Sequence, residues 1–173
     1  MKKLALALIV GGLALAGSSG PATAETVPNQ TFTVVKIGAN PGTVVATGVI
    51  NGVGVENNNR LQVPRGAQFQ AVFSFPQGDL FQTATPVRAE SRFDPATCVT
   101  RTTIDSTFVV TGGTDGLTGA TGGGQATANL TAIGPRDEHG ACLGPDAPPI
   151  FLISVVRLTA SVDVGDSPSD PQE

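Results

Sequence analysis

Apolar and polar side chains alternate with a two-residue period along most of the chain after residue 24, where helical periodicity is nearly absent. The clearest alternation lies in segment 68–75, where every second residue is apolar: Phe69, Ala71, Phe73 and Phe75. Such a pattern predicts a strand with one face in a core and the other facing water. We therefore expect these apolar side chains to point into the interior.

Similar segments, rich in β-branched residues and separated by Gly, Pro, Asn and Asp, predict seven or eight strands. They are expected at 31–37, 43–55 (with glycines that indicate bulges or a tight bend), 68–75, 80–85, 99–111, 125–133 and 150–164. Segments 90–96 and 134–149 predict loops. The spacing favours an all-β domain over 25–164, built as a single antiparallel β-barrel of about eight strands or, alternatively, as a β-sandwich.

The first 24 residues have the three-part layout of a secretory signal peptide. Lys2 and Lys3 precede an apolar run over 4–16, and the small residues at 22–24 suit signal peptidase. The alternative is a membrane anchor, but the apolar run is shorter than the ~20 residues that span a bilayer. We expect cleavage at the end of this segment and export of the mature chain.

Charge and composition narrow the range of partners. Without the leader, eight basic side chains stand beside fourteen acidic ones, for a net charge of −6. Nucleic-acid binding needs clustered cations, so nucleic acid is not an expected partner. Stable membrane insertion of the mature chain after signal cleavage is not expected either. Trp and Tyr, the usual platforms for stacking sugars and bases, are absent. The polar, acidic segment 165–173 predicts a disordered tail.

Cys98 and Cys142 are the only cysteines. An even number of cysteines in an exported chain predicts a disulfide. The alternative is a metal site in which His139 and a carboxylate such as Asp137 join the two sulfurs. No second closely spaced cysteine pair supports that alternative, and no cofactor is predicted.

The segment 111–122 is the most distinctive part of the chain because of its glycines. A phosphate-binding loop would need a following helix and usually a lysine, and a calcium-binding repeat would need several copies. A tight turn followed by a bulged strand needs neither and is the favoured interpretation.

This segment also resembles the motif Gly-Gly-Thr-Gly-x-Phe-x-Gly-Ala-x-Gly of the allene oxide cyclase and dirigent-like barrels. The sequence departs from that motif at Asp115, where the family has glycine, and at Leu117, where it has an aromatic residue. The matching residues are Gly112, Gly113, Thr114, Gly119, Ala120 and Gly122.

The resemblance implies an eight-stranded barrel with a mostly apolar interior. Plant members cyclise a fatty-acid epoxide or steer radical coupling, but their functional residues are not matched position by position here. A barrel of this size can hold one small ligand or be filled by its own side chains. The residues expected to line the interior and contact a ligand are Phe69, Phe73, Phe75 and Arg101.

No catalytic constellation is recognised in the sequence, and no catalytic residue is assigned. A serine triad needs a histidine as base, and the only histidine, His139, lies in a charged, proline-rich segment. The acidic residues show no spacing typical of two carboxyl groups that act together as general acid and general base. Arg88, Arg92 and Arg101 could hold an anion, although solvated surface charge is the simpler interpretation.

Three functions therefore stay open at this point. The favoured one is an exported barrel that binds a small apolar molecule without catalysis. The second is a cyclase or isomerase acting by confinement, which polar side chains converging inside the barrel would support. The third is a structural or interaction module at the cell surface, which a filled barrel with an exposed apolar patch would support.

Overall fold

Eight antiparallel strands close into one barrel in the structure, a computed structural model that describes residues 28–57 and 67–165. Each strand pairs with the next along the chain and the last pairs with the first, so the barrel prediction is confirmed and the sandwich is not formed. The strands are β1 (Gln30–Ile37), β2 (Gly42–Gly48), β3 (Gly52–Glu56), β4 (Phe69–Phe75), β5 (Gly78–Asp94), β6 (Val99–Gly113), β7 (Thr121–Ile133) and β8 (Phe151–Asp163).

Closure depends on the pairing of β1 with β8 along the whole length of β1, from Gln30 to Ile37. This pairing satisfies the backbone groups that would otherwise form two exposed sheet edges. Between β3 and β4 the registered pairs are Val55 with Ser74 and Glu56 with Phe73, which makes this a short junction.

The segment 43–55, predicted as one strand, consists of β2 and β3 joined by a tight turn, so the single-strand prediction is wrong. Gly48 has φ of +136°, and a Cβ at this position would lie 2.1 Å from the carbonyl oxygen of Asn29. The side chain of Asn51 accepts a hydrogen bond from the Gly48 amide and donates one to the Gly48 carbonyl. The glycines therefore permit a full reversal of the chain.

The loop predicted over 90–96 is also wrong over most of its length, because β5 continues to Asp94 and pairs with β6 in a long hairpin. Residues 87–92 are exposed, which explains why this part of the strand lacks apolar alternation. Asp94 accepts hydrogen bonds from the hydroxyl of Thr97 at 2.7 Å and the amide of Ala96 at 2.9 Å. The Thr97 hydrogen bond, followed by that of Ala96, lowers the pKa of Asp94.

One end of the barrel, the closed end, is filled by its own side chains. Phe32, Phe73 and Phe75 are buried there, with ring centroids 5.4 to 6.4 Å apart. Ile50 from the β2–β3 turn and Leu117 from the turn before β7 are buried in the same cluster. These buried side chains contact one another and fill this end of the barrel.

The start of β1 and the end of β8 lie side by side at the closed end. The Asn29 amide donates a backbone hydrogen bond to Ala160, and the Asn29 side chain bonds the carbonyl and the amide of Val162 at 2.9 and 2.8 Å. Gln30 bonds the backbone amide and carbonyl of Ile50 through its carboxamide. Both chain ends of the barrel are therefore tied to the closed end.

The glycine-rich motif forms the end of β6, a short 3-10 turn over Asp115–Leu117 and the start of β7. Asp115 has φ of +50°, a left-handed conformation that glycine adopts freely and that aspartate tolerates better than most residues. A Cβ on Gly113 would lie 2.4 Å from the carbonyl oxygen of Leu117. The motif thus combines a tight turn with close backbone packing.

The disulfide between Cys98 and Cys142 is present, as predicted. It joins the β5–β6 turn to the segment 134–150 that precedes β8. Arg136, in that segment, donates hydrogen bonds to the carbonyl oxygens of Ala96 at 2.9 Å and Gly140 at 2.7 Å. A covalent bond and hydrogen bonds together hold this long segment against the hairpin.

The predicted signal peptide over 1–24 and residues 166–173 of the predicted tail lie outside the described residues. In the described ranges, no helix has the length and apolar character that crossing a membrane requires.

Candidate ligand-binding cavity

The barrel contains a cavity of about 140 Å³ between the closed end and the opposite end of the barrel. Several inward positions around it carry alanine, and these short side chains cannot meet across the barrel in the way that the phenylalanines do at the closed end. Most of the wall is apolar, with aromatic contributions from Phe69, Phe73 and Phe108. The inward alanines that leave the space are Ala71, Ala84, Ala126 and Ala128.

A pair of opposite charges forms part of the cavity wall. The ammonium nitrogen of Lys36 lies 3.5 Å from Oε2 of Glu56, and the two side chains are 9% and 11% exposed. Lys36 points inward because it follows Phe32 and Val34 in the alternation of β1. Burial of either charge alone would be costly, and each reduces that cost for the other.

Gly42 makes this pair sterically feasible. It lies on β2, between the strands of the two charged residues, and is the registered partner of Glu56. A Cβ at Gly42 would lie 3.0 Å from Oε2 of Glu56 and 2.9 Å from Cγ1 of Val34. The missing side chain therefore leaves room for the carboxylate to reach Lys36 across β2.

Two neutral polar side chains, Gln82 and Ser154, complete the polar part of the wall. Gln82 lies on β5 and alternates in phase with the buried Leu80 and Ala84. Ser154 lies on β8 as the registered partner of Lys36. The cavity thus has an apolar body with a few polar groups, the usual composition of a small-molecule site.

The four residues predicted to contact a ligand fall in three different places. Phe69 and Phe73 line the cavity, where Phe73 forms the border with the closed end, whereas Phe75 lies only in the packed closed end. Arg101 is exposed and out of phase with Ile104, which lines the cavity from the same strand. The arginine therefore lies on the outer face of β6, and a contact with a ligand in the cavity is not expected from it.

The residues predicted to form a site did not include Lys36, Glu56, Gln82 and Ser154, which line the cavity. The signal that could have found two of them is their phase: Lys36 and Gln82 occupy positions of the alternation that otherwise carry buried apolar residues. A polar residue at an inward position of a strand is a candidate for a site inside a barrel, because burial without a partner is costly.

The other sites weighed from the sequence are not assembled with the cavity. His139 is exposed, and its Nε2 lies 3.5 Å from a carboxylate oxygen of the neighbouring Glu138. Arg88 forms an exposed ion pair with Glu90. Within residues 28–57 and 67–165, no group of three or more His, Cys, Asp and Glu side chains is arranged to hold a metal ion.

A larger depression of about 830 Å³ lies on the outer face of β7 and β8. It exists because three consecutive glycines, 122–124, remove side chains from the start of β7. Its other lining residues include Gln125, Asn129 and Arg157, which are exposed. We favour the smaller internal cavity as the candidate site because its polar groups are buried and its walls would surround a guest.

Comparison of the chain with protein-family models, with curated proteins and with solved structures finds no match. The function is therefore inferred from the geometry of the barrel and its cavity.

Proposed function

We propose that the mature chain is an exported barrel protein that binds one small, mostly apolar molecule in its internal cavity. The volume of about 140 Å³ carries this proposal. An apolar cavity of roughly 150 Å³ in another protein stays dry and binds benzene, so the space suits a molecule about the size of one ring. The apolar wall would supply the affinity, because binding removes the surface of the guest from water.

Export is part of the proposal. It is supported by the signal-peptide pattern over 1–24 and by the disulfide, a bond that persists in oxidising compartments. The barrel architecture is what the resemblance to allene oxide cyclase and dirigent-like proteins implies, and membership of that group belongs to the proposal as well.

A second candidate, a cyclase or isomerase, is favoured by one observation. The carboxylate of Glu56 and the ammonium of Lys36 converge inside the cavity wall, where one can accept and the other donate a proton. Confinement of a reactive guest beside such a pair would combine orientation with acid–base chemistry. Conversion of a bound guest by the wild type, and its loss in Glu56→Gln with binding retained, would support this candidate.

The interaction-module hypothesis has weaker support. The outer face of β1–β3 does carry an exposed apolar strip formed by Val35, Val45, Val53 and Val55. That hypothesis also calls for a filled barrel, whereas the interior holds a cavity. We therefore propose a function inside the barrel.

Benzene provides a direct test of the internal site. Ligand-observed NMR on the oxidised mature protein should show saturable binding to the wild type. Ala128→Leu should abolish it, because Ala128 lines the cavity between Ile104 and Val156 and three added carbon atoms would occupy the space. Asn129→Leu, which places the same side chain on the outer face one residue along, should leave binding unchanged.

Equal binding of benzene to the wild type and to folded Ala128→Leu would show that the cavity is not the site. The natural guest can be sought by native mass spectrometry of the protein purified from its producer, followed by a denaturing mass of the same sample. An extra mass that disappears on denaturation supports a carrier, and a bare mass argues for the interaction module.

A further inference from the structure

The carboxamide of Gln82 is the most informative polar group in the cavity. The residue is 4% exposed and lines the cavity from β5. Its neighbours in the same inward phase, Leu80 and Ala84, are apolar. A glutamine at this position needs an explanation, because leucine or methionine would fill the same space without a desolvated amide.

The described part of the chain provides no hydrogen-bond partner for this carboxamide. The same residues also contain no fully buried side-chain nitrogen or oxygen that lacks a partner, so the polar atoms of Gln82 must have access to the cavity space. By contrast, Gln30, another buried glutamine, is satisfied by the backbone of Ile50. Gln82 is thus free to bond a guest.

A carboxamide carries an acceptor oxygen and an adjacent pair of N–H donors. A purely apolar guest that filled the cavity would exclude water and leave these groups unpaired, which weakens binding. A guest with a donor and an acceptor side by side would bond both halves of the amide at once. Carboxamides and lactams have this arrangement.

Charge points to a neutral guest. Lys36 and Glu56 lie 3.5 Å apart in the wall, so their opposite charges largely cancel at the cavity. An anionic or cationic guest would have to compete with the partner already present, at the cost of leaving one buried charge uncompensated. A neutral amide carries no such cost.

We infer that the natural guest is a neutral molecule with a ring-sized apolar body and one amide or lactam group that pairs with the carboxamide of Gln82. This inference rests on the proposed function, since it names the chemical class of the molecule held in the same cavity. The apolar body would contact Phe69, Phe73 and Phe108, which line the cavity around it.

The test uses two ring-sized probes, δ-valerolactam and toluene, with the oxidised mature protein. Their affinities are measured by NMR titration for the wild type, for Gln82→Leu and for Gln125→Leu. Gln125 is exposed on the outer face of β7 and provides the same substitution away from the cavity. Thermal unfolding of each variant establishes that it is folded.

We expect Gln82→Leu to weaken lactam binding by about 10-fold or more, because the ligand's polar groups lose their partner. Toluene should bind this variant as well as or better than the wild type, since the wall becomes apolar at this position. Gln125→Leu should bind both probes as the wild type does. In the wild type, the side-chain NH₂ resonances of Gln82 should shift on addition of the lactam in the manner of a new hydrogen bond.

Equal lactam affinity of the wild type and folded Gln82→Leu, with toluene bound by both, would overturn this inference and leave the proposed function intact. Failure of both probes to bind the wild type would overturn the proposed function and this inference with it. If Gln82→Leu does not fold, the wild-type NH₂ resonances decide: unshifted signals in the presence of bound lactam overturn the inference.

Discussion

Glu56 reaches Lys36 across the inward face of a strand that has no side chain at the crossing point, and the two charged groups meet 3.5 Å apart within the barrel. The opening is provided by Gly42, which lies in register with Glu56. A small residue on one strand thus permits a polar pair between its two neighbours, in a wall that is otherwise largely apolar.

Removal of one member of this pair should be far more damaging than removal of both. Lys36→Met removes the ammonium that lies 3.5 Å from the buried Glu56 carboxylate, and we expect a loss of about 3–5 kcal/mol in the free energy of unfolding. The double variant Lys36→Met, Glu56→Leu should recover most of that loss. Urea denaturation measures both, and a single-variant loss below about 1 kcal/mol would show that the pair is well solvated.

Gly42→Ala tests the space on which the pair depends. The added methyl group would approach Val34 to 2.9 Å and Glu56 to 3.0 Å, so we expect a loss of about 1–3 kcal/mol through overpacking. Gly134→Ala is the control, because its nearest non-neighbour atom would be 3.5 Å away, at ordinary contact distance. Equal stability of the two variants in urea would contradict the steric role of Gly42.

The disulfide should make a large contribution to stability. It joins residues separated by 44 positions and so restricts the conformations of the unfolded chain. In the chain-entropy model, removing a disulfide that closes a loop of this size lowers the free energy of unfolding by about 4 kcal/mol. Cys98→Ser with Cys142→Ser should show this loss in urea. A change below about 1 kcal/mol would mean that the segment 134–150 is held mainly by hydrogen bonds such as those of Arg136.

Asp115→Gly should be neutral or stabilising, although it removes a side chain. The left-handed φ of +50° costs an aspartate free energy that glycine does not pay, and we expect a gain of up to about 1 kcal/mol. The exposed hydrogen bond from the Thr114 hydroxyl to the Asp115 carboxylate offsets little of the free-energy cost of this backbone conformation. Thermal unfolding checks the result, and a loss above about 1 kcal/mol would indicate that Asp115 stabilises the turn through its side chain.

The pKa of Asp94 should depend on Thr97. Because folding lowers this pKa, the ionised carboxylate stabilises the folded state above the ordinary value of 3.8, and the contribution is lost as pH falls through the lowered value. Thr97→Val should raise the pKa toward its ordinary value, while the Ala96 amide keeps part of the shift. A carbon-13 NMR titration of the Asp94 carboxyl group measures this; an unmoved pKa in Thr97→Val would assign the lowered pKa to the backbone amides and the charge of Arg101.

The barrel was predictable because its strands alternate clearly where one face is buried, as in the run from Phe69 to Phe75. The hairpin beyond Pro86 was not, because exposure of both faces removes the alternation on which strand prediction depends. The chain reversal at Gly48 was not predictable either, because a glycine in a segment rich in β-branched residues is compatible with a bulge as well as with a turn.

The cavity is formed by side chains from several strands, so the sequence of any one strand does not predict it. Ala84 on β5 and Ala126 and Ala128 on β7 border one enclosed space only because the sheet is closed, and closure is a property of all eight strands. Lys36 and Glu56 lie on strands separated by β2, so neither sequence spacing nor local alternation indicates that they meet. The strand phase of Lys36 and Gln82 was the one local clue to the site.

The first strand begins and the last strand ends at the closed end of the barrel, so the chain enters and leaves the sheet on one side. Asn29 and Val162 are bonded there, on the side of the barrel away from Lys36 and Glu56. A tether added before β1 or after β8, whether a surface anchor, an affinity tag or a fused domain, would therefore leave from the sealed base. Immobilised through either end of the barrel sheet, before β1 or after β8, the molecule would turn the half that holds the cavity away from the support.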